Sequence, residues 1–531
     1  MFKNGKIYAA AVAVGAFSGI ICVAFRYIVS QVTSLRPILF NHSNRITTHL
    51  CVFLSIYAAL LVTRILLVKF PKISGSGLPQ TQALMYGRRV YNKPFIYLVV
   101  KFIGGILSLC SGLSLGREGT SVQMGSLTGY IAGNLLNVKN GWKRHLIGAG
   151  AGAGVAAAFT APLSSSILIM ESLQKLTIST TLSCTLLAGA VAGIIAKFIT
   201  PYNIYDAIPV TTPQTELWIL ITVYISMGIF FALFGKLFSR MLLRGKQFYS
   251  KARMKLLSKE RTAGIIVEVF ILATVTWLMG LFFTEMIGGD QSFLVKESVI
   301  KSFLKSDVLN SPTITSLVNL AILLLVTIVI WSFTVLSHSS GFPGGIFLPM
   351  MTVGGLLGKL FYDTMILIIG EGVIGSELSG YFILLGMSSF FISVMGTPIT
   401  GFILISEMTG HYETFFPALI TGTAVYIFTQ IIKVEPLNDM LYNFMIGQDK
   451  MEPERTIIYI DVEQESYFNG KSVGEVLLAA RCRIISIERD KKAIPTGSST
   501  ILETGDQIGI ELDSSDIEPL YRSLISLGCY R

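Results

Sequence analysis

Three glycine-rich strings carry the most distinctive chemistry in this sequence. They read GSGLP at 75–79, GREGT at 116–120 and GFPGGIFLP at 341–349, and each comes at the beginning of a stretch with helical character. The first N–H groups of a helix have no acceptor within that helix, and the macrodipole places a partial positive charge at the same end. Each string therefore predicts a place where backbone amides bind an anion without needing a lysine or arginine.

The second string also contains a titratable side chain, Glu118, next to Arg117. An acidic residue within apolar sequence is costly to bury and is usually functional. When ionised, its carboxylate is itself an anion and competes for a helix-start site; when protonated, it leaves that site, so proton binding and anion passage are linked. The alternative is that Arg117 and Glu118 form a buried salt bridge that only fixes the helix.

An internal repeat indicates how these strings are positioned. AFTAPLSSSILIMES aligns with VMGTPITGFILISEM at a constant offset of 236, which pairs Pro162 with Pro398 and Glu171 with Glu407. A second alignment, at an offset of 229, sets GREGTSVQMGSLTG beside GIFLPMMTVGGLLG. Repeats of opposite topology bring corresponding broken helices face to face near the middle of a membrane, where their N-termini can bind an anion. The sequence alone does not establish that the repeats are inverted.

The composition places most of the chain in lipid. Of its 531 residues, 52% are hydrophobic and 14% are charged, with a mean hydropathy of +0.64, far from the roughly 25% charged residues of soluble domains. Segments long enough to span a membrane recur along the chain. They lie at about 7–29, 49–68, 94–111, 181–199, 215–238, 264–287 and 316–336, with others up to 433.

The net charge of +10 is unevenly distributed. Residues 451–531 contain nine Lys and Arg against 14 Asp and Glu, so the positive excess lies in the first 450 residues. Its densest run, from Arg240 to Arg261, lies between apolar spans and predicts a cytoplasmic loop, as do Arg88, Arg89 and Lys93. Since this charge flanks membrane spans, we expect membrane lipid and no nucleic-acid polymer as a partner.

A shift in composition near residue 450 predicts two domains: a membrane domain over 1–450 and a cytoplasmic domain over 451–531. The second domain is charged and has alternating, strand-like patterns, which indicate a small α+β module. Its predicted order of strand, helix, strand, strand and helix corresponds to residues 456–462, 473–480, 483–489, 507–512 and 515–526.

Taken together, the ordered strings and the duplicated Pro-to-Glu segment resemble the CLC chloride channels and proton-coupled chloride exchangers over about residues 10–445. The resemblance implies an all-α polytopic membrane protein with the CLC fold, an inverted repeat of broken and tilted helices at about 5–205 and 213–445. It also implies a homodimer in the plasma membrane with one pathway in each subunit.

The resemblance further implies roles for individual residues. Ser76 would bind chloride from the cytoplasmic side, the amides of Ile346 and Phe347 would line the central site, and Glu118 would be the gate. The other chloride-binding positions that it implies are Gly116, Arg117, Gly119, Gly345 and Asn438.

This chain departs from the exchanger pattern at two inner positions. Where similar exchangers have two adjacent glutamates, the second of which transfers protons, this chain has Glu171 and Ser172. Glu171 is an alternative proton acceptor, although its match in the other repeat favours a structural role such as capping. At the position of the family tyrosine that contacts chloride, this chain has Asn438, whose amide N–H can replace a hydroxyl as donor; Tyr442, one turn later, is a packing residue or a substitute ligand.

The tail resembles a TrkA-C domain, over the segment IISIERDKKAIPTGSSTILETGDQIGIEL at 484–512. Such a module accompanies potassium transport systems, but the sequence has no TVGYG-like filter for a cation pathway. The resemblance implies a domain that pairs with its own copy and binds a small ligand, such as a nucleotide second messenger. The alternative is that the tail only stabilises a dimer.

We therefore expect transmembrane chloride transport, as chloride/proton antiport gated by Glu118. The alternative, a channel or uncoupled conductor, follows from Ser172. We expect no enzyme activity, because the nucleophile-elbow pattern GLSLG at 112–116 precedes a helix start and has no evident histidine base. No cofactor and no metal are expected besides the transported chloride and protons.

Overall fold

The computed structural model describes most of the chain. The described residues are 2–39, 45–86, 91–138, 140–174, 179–199, 210, 216–257, 261–287, 317–370, 378–448, 455–462, 466–476, 482–489 and 492–513. Arg88, Arg89 and the predicted tail helix at 515–526 lie outside these residues.

Among the described residues, eight helices are long and apolar enough to cross a membrane. Helices make up most of the described part of the first 450 residues. In chain order they are α1 Phe2–Leu39, α2 Arg45–Lys69, α3 Leu78–Met85, α4 Pro94–Cys110, α5 Glu118–Leu135, α6 Asn140–Phe159, α7 Pro162–Leu168, α8 Ser179–Ile199, α9 Leu217–Leu257, α10 Arg261–Ile287, α11 Leu317–Ser339, α12 Phe347–Ile369, α13 Ser379–Met395, α14 Pro398–Thr409, α15 Phe415–Ile431 and α16 Leu437–Gln448.

Corresponding residues of the two repeats meet each other. Gly116 and Gly345, which the offset of 229 aligns, form an antiparallel bridge in which each N–H donates to the other carbonyl, at 2.6 and 2.5 Å. The helices that begin at Pro162 and Pro398, which the offset of 236 aligns, also pack against each other. The segments that the sequence alignment pairs are therefore in direct contact in the structure.

Small residues allow the helices behind these strings to pack at close range. A Cβ atom added at Gly125 on α5 would lie 2.0 Å from the carbonyl oxygen of Gly150 on α6. In the second repeat, a Cβ at the matching Gly354 would lie 2.8 Å from the carbonyl oxygen of Gly386. The glycine run at 148–154 thus serves helix packing, the usual role of small residues in membrane helices.

The basic run from Arg240 belongs to a helix, so the predicted loop over this segment is wrong. Helix α9 continues without interruption to Leu257, and residues 258–260 lie outside the described part of the chain. The run is amphipathic: Phe238 and Leu242 are buried, while Arg240 and Arg244 face outward. This spacing stabilises a helix, and the positive charges do not interrupt it.

The described part of the tail is a four-stranded antiparallel sheet in the order β1-β4-β2-β3. Its strands are β1 Arg455–Asp461, β2 Arg483–Arg489, β3 Lys492–Ile494 and β4 Gln507–Asp513. The three predicted strands are confirmed, and β3 was not predicted. The apolar core of the tail is continuous with Tyr86 and Tyr442 of the membrane part.

The predicted tail helix at 473–480 is not helical in its described residues. Residues 473–475 form a turn, and 477–480 lie outside the described part. The reason is an alternative set of backbone hydrogen bonds: the N–H of Val473 donates to Thr500 at 2.9 Å, and that of Gly474 donates to Ser498 at 2.9 Å. The segment is therefore held as a turn against residues 498–500 and does not form a helix.

Candidate anion pathway

The starts of α3, α5 and α12 meet at one place, and glycine makes this approach sterically feasible. A Cβ atom added at Gly119 would lie 2.1 Å from the carbonyl oxygen of Ser76 and 2.8 Å from the Cα of Gly345. A Cβ at Gly77 would lie 2.5 Å from the carbonyl oxygen of Gly119. The three glycine-rich strings, which are far apart in sequence, thus form one site.

The carboxyl group of Glu118 lies within this convergence. Glu118 is the first residue of α5 and is completely buried. Its Oε2 atom lies 2.1 Å from the position that a Cβ would take at Gly116 and 3.1 Å from that at Gly345. An ionisable oxygen therefore stands beside the starts of α5 and α12, one from each repeat, where the partial positive charges favour an anion.

The start of α12 presents its amides in an apolar setting. Phe347 is the first residue of the helix and Ile346 caps it, so their N–H groups have no acceptor within the helix. Both side chains are buried, and the Phe347 ring stacks on Phe159 and meets Phe391 edge-on, with centroids 6.4 and 5.3 Å apart. This packing fixes the direction in which the amides point.

The turn that carries Ser76 is held from two sides. The N–H of Gly75 donates to the carbonyl of Gly341 at 3.1 Å, and the hydroxyl of Ser74 donates to the same oxygen at 2.8 Å. On the other side, the fully buried ammonium of Lys101 donates to the carbonyls of Ile73 and Gly75 at 2.8 and 2.9 Å. The sequence prediction missed Lys101, although a single lysine within the apolar helix PFIYLVVKFIGGILSLC is a signal of function.

Glu171 caps a helix of the other repeat. Its Oε1 accepts the N–H of Ile399 at 3.1 Å, and its Oε2 accepts the N–H and the hydroxyl of Thr400 at 2.9 and 2.6 Å. Next to it, Ser172 is buried, and its hydroxyl has no hydrogen-bond partner among the described residues. The inner position therefore holds a buried hydroxyl, and the neighbouring carboxylate is engaged in capping.

Asn438 contacts protein acceptors with its amide. Its Nδ2 donates to Oε1 of Gln82 at 2.7 Å and to the carbonyl of Ser172 at 3.3 Å, so both of its N–H groups are occupied. A chloride contact at Asn438 would require one of these bonds to be exchanged. Tyr442 lies edge-on to Tyr86, with ring centroids 6.4 Å apart, which is a packing contact.

Comparison with known proteins identifies the family of this arrangement. Residues 55–430 match the family model described as voltage gated chloride channel. The chain belongs to this family. The H(+)/Cl(-) exchange transporter ClcA of Vibrio cholerae is 30% identical over 395 residues, which are 72% of this chain and 77% of that protein. The corresponding transporter of Vibrio campbellii is 28% identical over 392 residues, with the same coverage of both chains.

Solved structures share the fold. A slow cyanobacterial Cl-/H+ antiporter superposes with a TM-score of 0.70 at 23% identity, over 84% of this chain and 99% of that one. A eukaryotic CLC transporter gives a TM-score of 0.65 at 17% identity, over 89% and 80%. The CLC fold predicted from the sequence is thereby confirmed, and the chain is a multi-pass membrane protein of a transporter family rather than an enzyme.

The tail has a separate match. Residues 457–525 match the TrkA-C domain model, which confirms the predicted resemblance. Together with the family match of the membrane part, this match places the tail on the cytoplasmic side of the plasma membrane.

Proposed function

We propose that this chain exchanges chloride for protons across the plasma membrane, with Glu118 as the protonatable gate. The observation that carries the proposal is the position of its carboxyl oxygen, beside Gly116 and Gly345 at the meeting point of three helix starts. An ionised Glu118 occupies the place of an anion there. Protonation removes its charge, so that chloride replaces it at the helix-start amides.

Chloride contacts are proposed at the amides of this meeting point. They comprise the N–H groups of Arg117, Gly119, Ile346 and Phe347, together with Ser76 at the cytoplasmic end. Gly116 and Gly345 belong to the site through their backbone bridge, because their own N–H groups donate to each other's carbonyls. In this scheme Asn438 contributes indirectly: its hydrogen bond to Gln82 holds α16 against α3. Amides give a site that binds an anion but also releases it, as transport requires.

A specific observation favours a second candidate function, uncoupled chloride conduction. Position 172 offers a serine hydroxyl where an exchanger of this pattern has an inner glutamate, and both oxygens of Glu171 accept hydrogen bonds at the start of α14. A proton that reaches Glu118 from the cytoplasm would then depend on water and hydroxyl groups.

Flux measurements distinguish the two functions. Full-length protein is reconstituted into liposomes with a chloride gradient, and chloride and proton movements are recorded together. Antiport predicts uphill proton movement driven by the chloride gradient. Chloride flux that runs to equilibrium without proton movement would contradict antiport and establish the uncoupled conductor.

For the assembly and the tail we propose a homodimer with one pathway in each subunit, and a small ligand, such as a nucleotide second messenger, bound by residues 451–531. The match to the TrkA-C model supports the tail proposal. Thermal unfolding of the full-length protein with a panel of cyclic mono- and dinucleotides tests it. A raised midpoint with one nucleotide is expected; no shift with any of them would leave dimer stabilisation as the role of the tail.

A further inference from the structure

A buried charged cluster lies behind the pathway, on three helices that carry none of the glycine-rich strings. Arg64 on α2 and Glu268 on α10 form an ion pair, with only 2% and 6% of their side-chain surfaces exposed. Tyr249 on α9 donates its hydroxyl to Glu268 Oε1 at 2.7 Å, and Arg253 lies 3.5 Å from Glu268 Oε2. Burial of such charges is costly, so a cluster of this kind calls for a functional explanation.

The same guanidinium contacts the third glycine-rich string. Its Nη2 donates to the carbonyl of Ser340 at 3.1 Å, and its central carbon lies 4.4 Å from the centroid of the Phe342 ring. Arg64 therefore holds both ends of the short segment 340–342, by a hydrogen bond at one end and a cation–π contact at the other. Glu268 balances its charge and accepts a hydrogen bond from the same Nη2 atom.

This segment in turn fixes the Ser76 turn. Gly341, at its centre, has a φ of +76°, and its carbonyl accepts the N–H of Gly75 and the hydroxyl of Ser74. The chain then runs through Gly344, whose N–H donates to the carbonyl of Gly75 at 3.3 Å, to the start of α12. Arg64, which lies outside the pathway, thus restrains residues 340–342. These residues are hydrogen-bonded to the turn that carries Ser76, and they lead to the start of α12.

We propose that Arg64 is a positioning residue of the anion pathway, which sets the geometry of Ser76 and of the α12 start by holding residues 340–342. The proposal rests on the chloride pathway of the preceding subsection. A planar guanidinium that donates to a carbonyl and lies over a ring cannot be replaced by an ammonium of equal charge. Arg64→Lys therefore keeps the positive charge of the side chain while it removes the planar geometry.

The test uses full-length Arg64→Lys, Ser74→Ala and the double variant, each purified and reconstituted. Chloride affinity is titrated, and the nitrate-to-chloride flux ratio is measured in liposomes. Loss of the Ser340 contact should weaken chloride binding about threefold or more, as expected for one hydrogen bond, and should change the flux ratio. Because both residues act through Gly341, the double variant should bind chloride no more weakly than the weaker single variant.

A matched control removes another buried ion pair. Lys359 and Asp363 lie 2.6 Å apart on α12, three turns beyond its start, and Lys359→Met with Asp363→Leu should leave chloride affinity unchanged. Equal losses in this control would mean general loosening of the fold and would overturn the proposal. So would wild-type affinity and flux ratio in Arg64→Lys, or independent effects of Arg64→Lys and Ser74→Ala.

Two further measurements keep the result interpretable. If Arg64→Lys does not give monodisperse protein, Tyr249→Phe carries the test. It removes a hydroxyl that donates to Glu268 Oε1 at 2.7 Å and accepts from Nη2 of Arg64 at 3.3 Å, and unchanged affinity then overturns the proposal. Ser76→Ala tests the pathway itself. An unchanged chloride affinity in this variant would overturn both the proposed chloride pathway and the positioning role of Arg64. Wild-type protein that binds chloride but moves no protons would remove antiport and leave the role of Arg64 intact.

Discussion

Glu171 and Glu407 each cap the first turn of a helix in the opposite repeat. Glu407 accepts the N–H groups of Leu163 and Ser164 at 3.0 and 2.9 Å and the Ser164 hydroxyl at 2.7 Å, as Glu171 does at Ile399 and Thr400. Helices α7 and α14 begin with proline, so these N–H groups would otherwise lack acceptors. Glu171 and Glu407, which occupy equivalent positions in the repeat alignment, thus have the same structural role: each caps a helix of the opposite repeat.

The reciprocal caps predict a stability effect without a transport effect. Glu171→Gln and Glu407→Gln should each lower the thermal unfolding midpoint, because a lost cap typically costs about 1 kcal/mol. The exposed Glu413, substituted by Gln, is the matched control. Loss of proton movement in Glu171→Gln with an unchanged midpoint would instead place Glu171 on the proton route.

Removal of the titratable group at the meeting point should abolish the pH dependence of chloride flux. Glu118→Gln keeps the shape of the side chain but carries no charge at any pH, so acidification no longer empties the site. Flux is measured in liposomes from about pH 4 to 8, a range that brackets carboxyl titration. A wild-type pH response in this variant would remove Glu118 from the mechanism, and Glu407→Gln serves as the control carboxylate.

The close approach of the helix starts predicts that a single added methyl group slows transport. Gly119→Ala forces apart the Ser76 carbonyl and Gly345, and chloride flux should fall about tenfold or more, since overpacking costs about 1–3 kcal/mol. Gly447→Ala on α16 is the control, because a Cβ there meets no atom within 4 Å. Near-normal flux in Gly119→Ala would mean that this contact is not needed.

The hydrogen bonds of Asn438 predict that this residue stabilises the fold by joining α16 to α3. Asn438→Ala should lower the unfolding midpoint, since it leaves the buried Gln82 Oε1 without its donor, at a cost of about 1–3 kcal/mol. Gln82→Ala should have an effect of similar size, while chloride affinity changes little in both variants. A large loss of chloride affinity in Asn438→Ala alone, with the fold intact, would make Asn438 a chloride ligand.

Acid should destabilise the tail through Asp506. Burial alone would raise the pKa of this carboxyl, but the hydrogen bonds from Arg489, at 2.7 and 2.8 Å, and from the N–H of Glu503 hold the pKa below its usual value. The resulting stability is full above the unfolded-state pKa of about 3.9 and is lost as pH falls through the lower folded-state value.

Hydrogen exchange of β2 and β4 in the full-length protein measures this effect. At neutral pH, Asp506→Asn should exchange faster than wild type, and the difference should shrink on acidification below about pH 4. Glu511→Gln, on the same strand β4, is the control. A difference that stays constant with pH would show that the charge of Asp506 contributes nothing.

Local chemistry explains which features the sequence could predict. The glycine strings are local patterns, and the repeat alignment predicts that the segments around Gly116 and Gly345 face each other. The backbone bridge between these two glycines was not predicted. The role of the Asn438 amide could not be assigned in this way, because its acceptor Gln82 is 356 residues away in the sequence. The path of α9 could not be predicted for a different reason: its charge density is typical of a loop, while its buried apolar face determines the helix.

The bridge between Gly116 and Gly345 has a consequence for how the protein is made. Its two strands of backbone are 229 residues apart, and at about 5–20 residues per second a ribosome needs roughly 10 to 45 s between them. During that interval the N–H and carbonyl of Gly116 lack their native partners in an environment with little water. Neither repeat can complete the site alone, so the site forms only when both repeats are in place.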